Sequence, residues 1–159
     1  MATFKETSMG AIFQNRVQQH GDKALVSFKN KEGVWVDLSW NQMNEKVRNL
    51  GCYLLSKGVK PGEKIALFSP NRYEWWVADL AILSIGAVNV PIYATNSAQE
   101  CRYIIDNSDS IICFAGTIDH MQKVLSVKDD LPNLREVIIF DDLTDGRPGV
   151  TDLNAAMKE

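Results

Sequence analysis

The side chains best suited to acid–base or metal chemistry are scattered along this chain. His20 and His120 each stand without a second histidine nearby, so we expect a surface or helix-capping role for both. The Asp-Asp pairs at 129–130 and 141–142 lie at the ends of predicted elements, where solvation and turn chemistry account for them. The second pair also follows the carboxyl end of a strand, the edge at which parallel α/β sheets bind ligands. We assign no catalytic residue and no metal ligand.

Motifs for phosphate binding or nucleophilic catalysis are absent from the 159 residues. The sequence contains no G-x-G-x-x-G, no G-x-x-x-x-G-K-[ST] and no G-x-S-x-G. A helix N-terminus can hold an anion, but one glycine, Gly116, before Thr117 is a weak signal, and we interpret it as a chain turn. The rings of Tyr73, Trp75 and Trp76 lie on a helix that is apolar almost all round, so we predict that they belong to the core.

Length and composition predict one soluble domain, residues 1–159, in the cytoplasm. The chain is 45% hydrophobic and 23% charged with a net charge of −3, so no basic face predicts a nucleic-acid partner. Residues 1–10 lack the apolar segment of a secretory signal. The longest apolar stretch, 75–92, is interrupted by polar residues, glycine and proline, which argues against a membrane span. Contact with the inner face of the membrane stays open.

Three cysteines, Cys52, Cys101 and Cys113, lie far apart in periodic apolar segments. An odd number without paired spacing argues against a disulfide framework or a zinc site. We predict that all three are buried free thiols in a reducing compartment.

The first part of the chain predicts a β-hairpin followed by a helix. The hairpin covers 22–40, with strands at 24–29 and 34–38 around the turn Asn-Lys-Glu-Gly. The helix covers 41–57, because Ser39 and Gln42 form a capping-box pattern and apolar residues then recur on one face. A Pro-Gly turn at 61–62 follows it.

The remainder alternates short apolar strands with helices, which predicts an α/β core over 64–142. Such strands imply a parallel sheet wound with helices in three layers, Rossmann-like or flavodoxin-like, with the strand order left open. The strands are predicted at 64–68, 88–92, 110–114 and 136–140, and the helices at 73–85, 98–106 and 118–127. Ser97 and Glu100 form a second capping-box pattern. Residues 143–159 predict a turn, over 144–149, and a short helix from about 152.

A series of short sequence words carries a family resemblance. The words are LSWNQ at 38–42, GVKPGEKIAL at 58–67, PNRYEW at 70–75, ADLAIL at 78–83, GAV at 86–88, PIY at 91–93 and DNS at 106–108. In order and spacing they resemble the N-terminal part of the adenylate-forming, AMP-dependent synthetase and ligase family. The likeness is greatest to the bacterial long-chain fatty acyl-CoA synthetases.

The resemblance implies a two-step reaction that uses ATP, CoA and Mg²⁺. A carboxylate reacts with ATP to give an acyl-adenylate and pyrophosphate, and the thiol of CoA then displaces AMP. In that family the Ser/Thr/Gly-rich loop ending in Pro-Lys-Gly, the ribose-binding aspartate and the catalytic lysine come later in the chain. None can be placed here. The resemblance thus implies an N-terminal fragment, inactive and without bound cofactor by itself. Its expected partners are the remainder of the polypeptide, fatty acid, CoA and a second copy in a homodimer.

One loop of the chain is a candidate ligand-facing segment. Tyr93, Ala94, Thr95, Asn96 and Ser97 follow the carboxyl end of a predicted strand, where a ligand would approach. The resemblance implies that this loop lies near the entry of CoA and the acyl group. A plain capped connection between strand and helix is the alternative.

Two other functions compete with the ligase fragment. The first is a complete flavodoxin-like module that binds a nucleotide or flavin at the sheet edge. The turn at 69–71 argues against it, because it has no glycine and places a proline where an N–H donor would be useful. The second is a non-catalytic oligomerisation domain.

Overall fold

The computed structural model describes residues 8–143 and 146–158. Six helices and seven strands are assigned in that part of the chain. In chain order they are α1 Met9–His20, β1 Ala24–Lys29, β2 Trp35–Ser39, α2 Trp40–Ser56, β3 Lys64–Phe68, α3 Tyr73–Ser84, β4 Val88–Ile92, α4 Ala98–Asn107, β5 Ile112–Ala115, α5 Ile118–Leu125, β6 Glu136–Ile139, β7 Val150–Asp152 and α6 Leu153–Ala156, with a 3-10 turn at Lys128–Asp130 before β6.

Five strands form one parallel sheet in the order β4-β3-β5-β6-β7. The first strand of this sheet, β3, lies next to the edge strand β4, which follows it in the chain. The chain then passes to the other side of β3 and adds β5, β6 and β7 in turn. This is the flavodoxin-like order rather than the Rossmann order, and it settles the alternative that the sequence left open. The hairpin of β1 and β2 is a separate antiparallel pair.

The sheet is covered on both faces, which confirms the three-layer α/β fold. Ile65 and Leu67 belong to the cluster that also holds residues of α1, α2, α3 and α6. Ala66 and Phe68, which alternate with them along β3, belong to a second cluster with α4 and α5. Because successive side chains of a strand point to opposite faces, one strand supplies both cores, and its apolar run has no polar alternation.

Both predicted capping boxes are formed. The Ser39 hydroxyl accepts the N–H of Gln42, whose side chain accepts the Ser39 N–H at 2.9 Å. Ser97 and Glu100 do the same at the start of α4, with 2.7 Å from the Ser97 N–H to the Glu100 carboxylate. Each box satisfies two N–H groups that the first helical turn leaves unpaired, so it fixes where the helix starts.

Several element bounds differ from the sequence prediction. The helix predicted over 118–127 ends at Leu125, and β5 starts two residues later than predicted, at Ile112. Helix α1 was not predicted, because its sequence is mostly polar and only Phe13 and Val17 are buried. Strand β7 was not predicted either, since it has three half-buried residues and no apolar run. Of the turn predicted over 144–149, Thr144 and Asp145 lie outside the described residues.

Two burial predictions are wrong in part. Cys52 is exposed on α2, whereas Cys101 and Cys113 are buried as predicted. Burial raises the pKa of the Cys101 thiol to about 12 and also raises that of Cys113. The Trp76 ring is 48% exposed on the outer face of α3, so it is not a core residue. In the described part of the chain no helix is both long and apolar enough to cross a bilayer.

Candidate functional site

The direction of winding reverses at β3, and this locates the candidate site. From β3 the chain passes to β4 on one side, and the next strand, β5, lies on the other side. The loops that leave β3 and β5 lead to helices on opposite faces of the sheet, α3 and α5. Open α/β folds bind their ligands in the crevice at the carboxyl edge beside such a reversal. These loops, the β4–α4 loop and the residues after β6 all meet at this edge.

An arginine joins the carboxyl ends of three neighbouring strands. Arg72 follows β3, and its guanidinium donates to the carbonyl of Gly116 after β5 and to the Asp141 carboxylate after β6, the latter at 2.9 Å. It also forms a two-pronged pair with Glu74, with both nitrogen–oxygen distances 2.8 Å. We call Arg72, Glu74, Gly116 and Asp141 the Arg72 clamp. The hydrogen bonds to Glu74 are the largest cause of the raised pKa of Arg72, so the Arg72 guanidinium keeps its positive charge.

Gly116 is more than a chain turn. A Cβ added to this residue would lie 2.2 Å from the Ser69 hydroxyl oxygen and 2.8 Å from Cδ of Pro70. The loops after β3 and β5 thus approach so closely that only glycine fits between them. This approach also brings the Gly116 carbonyl within reach of Arg72.

The two aspartates after β6 have separate structural roles. Asp141 belongs to the Arg72 clamp, whereas Asp142 pairs with Lys31 at the tip of the hairpin. The Asn154 amide of α6 also donates to Asp142, at 3.1 Å. The Lys31 hydrogen bond lowers the pKa of Asp142, which is the effect of a cation on a nearby carboxylate. The pair therefore ties the hairpin and the last helix to the sheet edge.

The predicted ligand-facing loop lines an open cavity of 580 Å³. Tyr93, Ala94 and Thr95 form one wall, and residues 69–71 of the β3–α3 loop form the opposite wall with Trp75. Tyr93 is 83% exposed, the most exposed of the large apolar residues in the described part of the chain. Asn96 and Ser97 turn the chain into α4, where Ser97 is the N-cap. The structure thus brings three of the five predicted residues to the cavity, and the other two lead into the helix behind it.

His120 departs from the surface or capping role predicted for it. Its side chain is 6% exposed, packs edge-on against Phe68 at 4.4 Å between ring centroids, and bonds at both ring nitrogens. Nδ1 lies 2.6 Å from the Thr117 hydroxyl, and Nε2 lies 3.0 Å from the carbonyl of Ala94. The prediction failed because the Ala94 partner is 26 residues away and is a backbone atom. His20, at the end of α1, stacks on Trp40 at 5.3 Å.

The side chains that the structure describes do not fit a nucleotide phosphate or Mg²⁺. Among residues 8–143 and 146–158 no three His, Cys, Asp or Glu side chains converge on one point. In the β3–α3 loop, Pro70 lacks an N–H, and the Ser69 hydroxyl donates to the Pro70 carbonyl at 2.9 Å. We therefore derive no chemical step through either group.

Arg72 and Gly116 were missed as functional positions, although the sequence carried a signal for one of them. Arg72 and Asp141 are opposite charges placed directly after two strands of one parallel sheet, so they had to share an edge. Their pairing still depended on the strand order, which the sequence left open. For Gly116 no local pattern shows how close a distant loop will approach.

Comparison with known proteins places the chain in a family. The family model described as "AMP-binding enzyme" matches residues 13–156. A long-chain-fatty-acid–CoA ligase of Mycobacterium bovis, FadD15, is 39% identical over 147 residues, which cover 84% of this chain and 24% of that protein. A long-chain-fatty-acid–CoA ligase of Xenopus laevis, ACSBG2, is 30% identical over 94% of this chain and 20% of its own length. The chain therefore spans about a quarter or less of these relatives.

Solved structures give the same fold. The coronafacic acid ligase of Pectobacterium brasiliense matches with a TM-score of 0.85 at 19% identity, over 96% of this chain and 30% of that one. The anthranilate CoA ligase AuaEII matches with a TM-score of 0.82 at 17% identity, over 98% of this chain and 28% of the other. These structures show the shared fold. The family match over residues 13–156 and the 39% identity to the ligase FadD15 show that this chain belongs to the AMP-binding enzyme family and corresponds to an N-terminal portion of its longer members.

Proposed function

We propose that this chain is part of an ATP-dependent fatty acid–CoA ligase. The enzyme would convert a fatty acid and ATP to an acyl-adenylate and pyrophosphate, and then form acyl-CoA and AMP with CoA. The observation that carries this proposal is the 39% identity over 147 residues to a long-chain-fatty-acid–CoA ligase. The long-chain class rests on the same likeness.

Within that enzyme we assign this segment a scaffold role rather than the adenylation chemistry. The 159 residues contain no Ser/Thr/Gly-rich loop ending in Pro-Lys-Gly, and no metal-binding cluster lies among the described residues. We propose that ATP and Mg²⁺ are held by other parts of the polypeptide. By itself this chain would bind ATP weakly and activate no fatty acid.

The Tyr93–Asn96 loop is the part of this segment that we propose faces CoA and the acyl group. Three observations support the assignment: the loop follows the carboxyl end of β4, it lines the 580 Å³ cavity, and its tyrosine is 83% exposed. An exposed aromatic ring at a cavity edge supplies apolar contact at a low cost in side-chain entropy.

An ATP–pyrophosphate exchange assay with fatty acids of several lengths tests both parts of the proposal. The 159-residue chain should give no exchange above background, and a full-length protein that contains it should give robust exchange. Exchange by the short chain alone would overturn the scaffold assignment. A folded full-length protein that exchanges with no fatty acid would overturn the ligase.

The sheet order β4-β3-β5-β6-β7 favours one alternative, a flavodoxin-like module that binds a nucleotide or flavin by itself. Thermal unfolding with FMN or AMP tests it, because a ligand at 100 times its Kd stabilises the folded state by about 2.7 kcal/mol. We expect no shift with either compound.

We also propose a cytoplasmic enzyme with a homodimer contact. The three free cysteines support the first part, since reducing compartments keep thiols unpaired. The cleft between α1 and α3 supports the second, because Met9 and Trp76 are 56% and 48% exposed there. Sedimentation of the chain at rising concentration tests the dimer, and cell fractionation tests the location and any contact with the inner membrane face.

A further inference from the structure

His120 links the candidate ligand loop to the rest of the domain. It lies on α5, and its Nε2 contacts the Ala94 carbonyl 26 residues earlier in the chain, at 3.0 Å. The other hydrogen bonds of the loop are internal or run to α4: Asn96 N–H donates to Tyr93, and Ser97 N–H donates to Glu100. Among the contacts of the described residues, the histidine is thus the polar link from this loop to an element other than α4, the helix that directly follows it.

The hydrogen bonds around the ring define its tautomer. Thr117 is the N-cap of α5, so its hydroxyl oxygen accepts the His120 N–H, at 3.4 Å. That hydroxyl then has its own hydrogen to donate, and Nδ1 of the ring lies 2.6 Å away. With Nδ1 accepting, the neutral ring carries its hydrogen on Nε2 and donates it to Ala94. Every polar atom of the neutral side chain then has a partner.

The surroundings of the ring leave little room for another orientation. The side chain is 6% exposed, and its edge contact with Phe68, at 81° between ring planes, fixes the ring from the sheet side. The Ala94 carbonyl lies in a partly buried hydrogen bond, so it loses a protein donor when the imidazole is removed, at a net cost of about one hydrogen bond. Removing the imidazole should therefore release the loop rather than leave it in place.

We propose that His120 is a positioning residue for the thiol ligand, CoA, at the cavity. Oriented by Thr117, the imidazole holds Ala94 and so sets the wall of the cavity that Tyr93 and Thr95 also form. The inference rests on the proposed function of the Tyr93–Asn96 loop. It makes loop order and CoA affinity depend on one buried donor outside the loop.

Hydrogen exchange on the chain tests the link directly. His120→Ala should raise exchange of the Asn96 amide about three- to tenfold relative to the β5 amides, the range expected when one hydrogen bond is lost. His120→Gln keeps a donor in place of Nε2 and should restore the protection of this amide. Thr117→Ser keeps the hydroxyl and should exchange like the wild type, whereas Thr117→Val lacks it and should exchange faster. Nitrogen shifts of the ring should report the Nε2–H tautomer. Unchanged loop exchange in His120→Ala, or the opposite tautomer, would overturn the proposal.

Kinetics of the full-length protein test the consequence. His120→Ala should raise KM for CoA about three- to tenfold, with ATP–pyrophosphate exchange unchanged and with rescue by His120→Gln. An active wild type whose His120→Ala variant keeps its KM for CoA would overturn this inference and leave the ligase standing. A wild type that shows neither ATP–pyrophosphate exchange nor thioester formation would instead overturn the proposed function. Hydrogen exchange of the loop amides would still decide whether His120 holds the loop.

Discussion

Two neighbouring loops at the carboxyl edge of the sheet are held in opposite ways. The loop after β3 is joined to the ends of β5 and β6 by the Arg72 clamp, with side-chain exposures of 25% for Arg72 and 12% for Glu74. The loop after β4 exposes Tyr93 at 83% and is joined to α5 through His120. One loop has several partly buried contacts, and the other has a single buried donor.

The difference separates stability from ligand contact within one edge. A network with several anchors resists local opening, whereas a segment with few anchors opens at low free energy. Binding segments are usually drawn from the second class and are positioned by the first. In this chain the clamp joins the ends of three strands, and the loop that we propose to face CoA has fewer anchors beside it. Mutations in the clamp should therefore change folding, and mutations in the loop should change binding.

The largest change in the free energy of unfolding should come from removing the positive charge of Arg72. Arg72→Met leaves the Glu74 and Asp141 carboxylates without their cation in a half-buried site. Loss of one partner of a buried pair costs about 3–5 kcal/mol, and partial exposure should reduce this to about 2–3 kcal/mol. Urea unfolding followed by circular dichroism measures this loss of stability. The dependence of the free energy of unfolding on urea concentration should stay unchanged.

A double variant separates charge from packing in that result. Adding Glu74→Gln to Arg72→Met removes one of the two uncompensated carboxylates and should recover part of the lost stability. Equal stability of the single and double variants would show that the cost comes from lost packing on Phe140, whose ring lies 5.6 Å from the guanidinium. The clamp would then be a packing feature, and the contrast with the loop would weaken.

Gly116→Ala should cause a second, smaller loss of folding stability. The new methyl group would lie 2.6 Å from Cβ of Ser69 and 2.8 Å from Cδ of Pro70, so the two loops must separate. Overpacking of this kind costs about 1–3 kcal/mol. Gly146→Ala is the matched control, because a Cβ there meets nothing within 4 Å, and it should leave the urea midpoint unchanged. If both variants unfold alike, the close approach of the loops contributes nothing to stability.

The elements of this edge could be predicted, but their contacts could not. Strands β3 and β4 have the predicted bounds, because a short apolar run between turn residues has few other interpretations in an α/β chain. The Ser97 capping box is equally local, since both partners lie within three residues. The loop after β4, which the same local signals place between a strand and a helix, lines a cavity in the structure, and its contact with a ligand stays a prediction.

The remainder of the site depends on which strands are neighbours. Arg72 reaches Asp141 across 69 residues of sequence, and His120 reaches Ala94 across 26. Such pairs form only after β4, β3, β5 and β6 lie side by side in this order, and no period or cap in the sequence records that order. The exposure of Trp76 was equally hidden in the sequence, because its helix is apolar almost all round although one side of it faces solvent. Burial is a property of the assembled layers, so the helix pattern alone predicted it wrongly.

In the loop, Tyr93→Ala should change binding and leave stability nearly untouched. An 83% exposed ring buries little area on folding, so the free energy of unfolding should change by less than about 0.5 kcal/mol. In the full-length protein the same variant should raise KM for CoA, because the ring is proposed to contact the ligand. Tyr103→Ala, on a residue that is 65% exposed on α4, is the control for losing an exposed tyrosine. A rise in KM for both variants, or for neither, would contradict the role of the loop.

The smallest effect should come from Asp142→Asn, which tests whether every contact at this edge is as strong as the clamp. Lys31 and Asp142 have side-chain exposures of 79% and 56%, so water and salt weaken their attraction. The pKa of Asp142 is lowered from its ordinary value of 3.8, so its stabilising effect is present above that value. That effect is lost as the pH falls through the lower pKa of the folded state. We expect the variant and the wild type to unfold alike at 0.15 M salt, and to differ slightly only at neutral pH and low salt. A clear difference in unfolding midpoint at high salt would place this exposed pair with the clamp, and the hairpin would then be a fixed part of the sheet edge rather than a loosely tied neighbour.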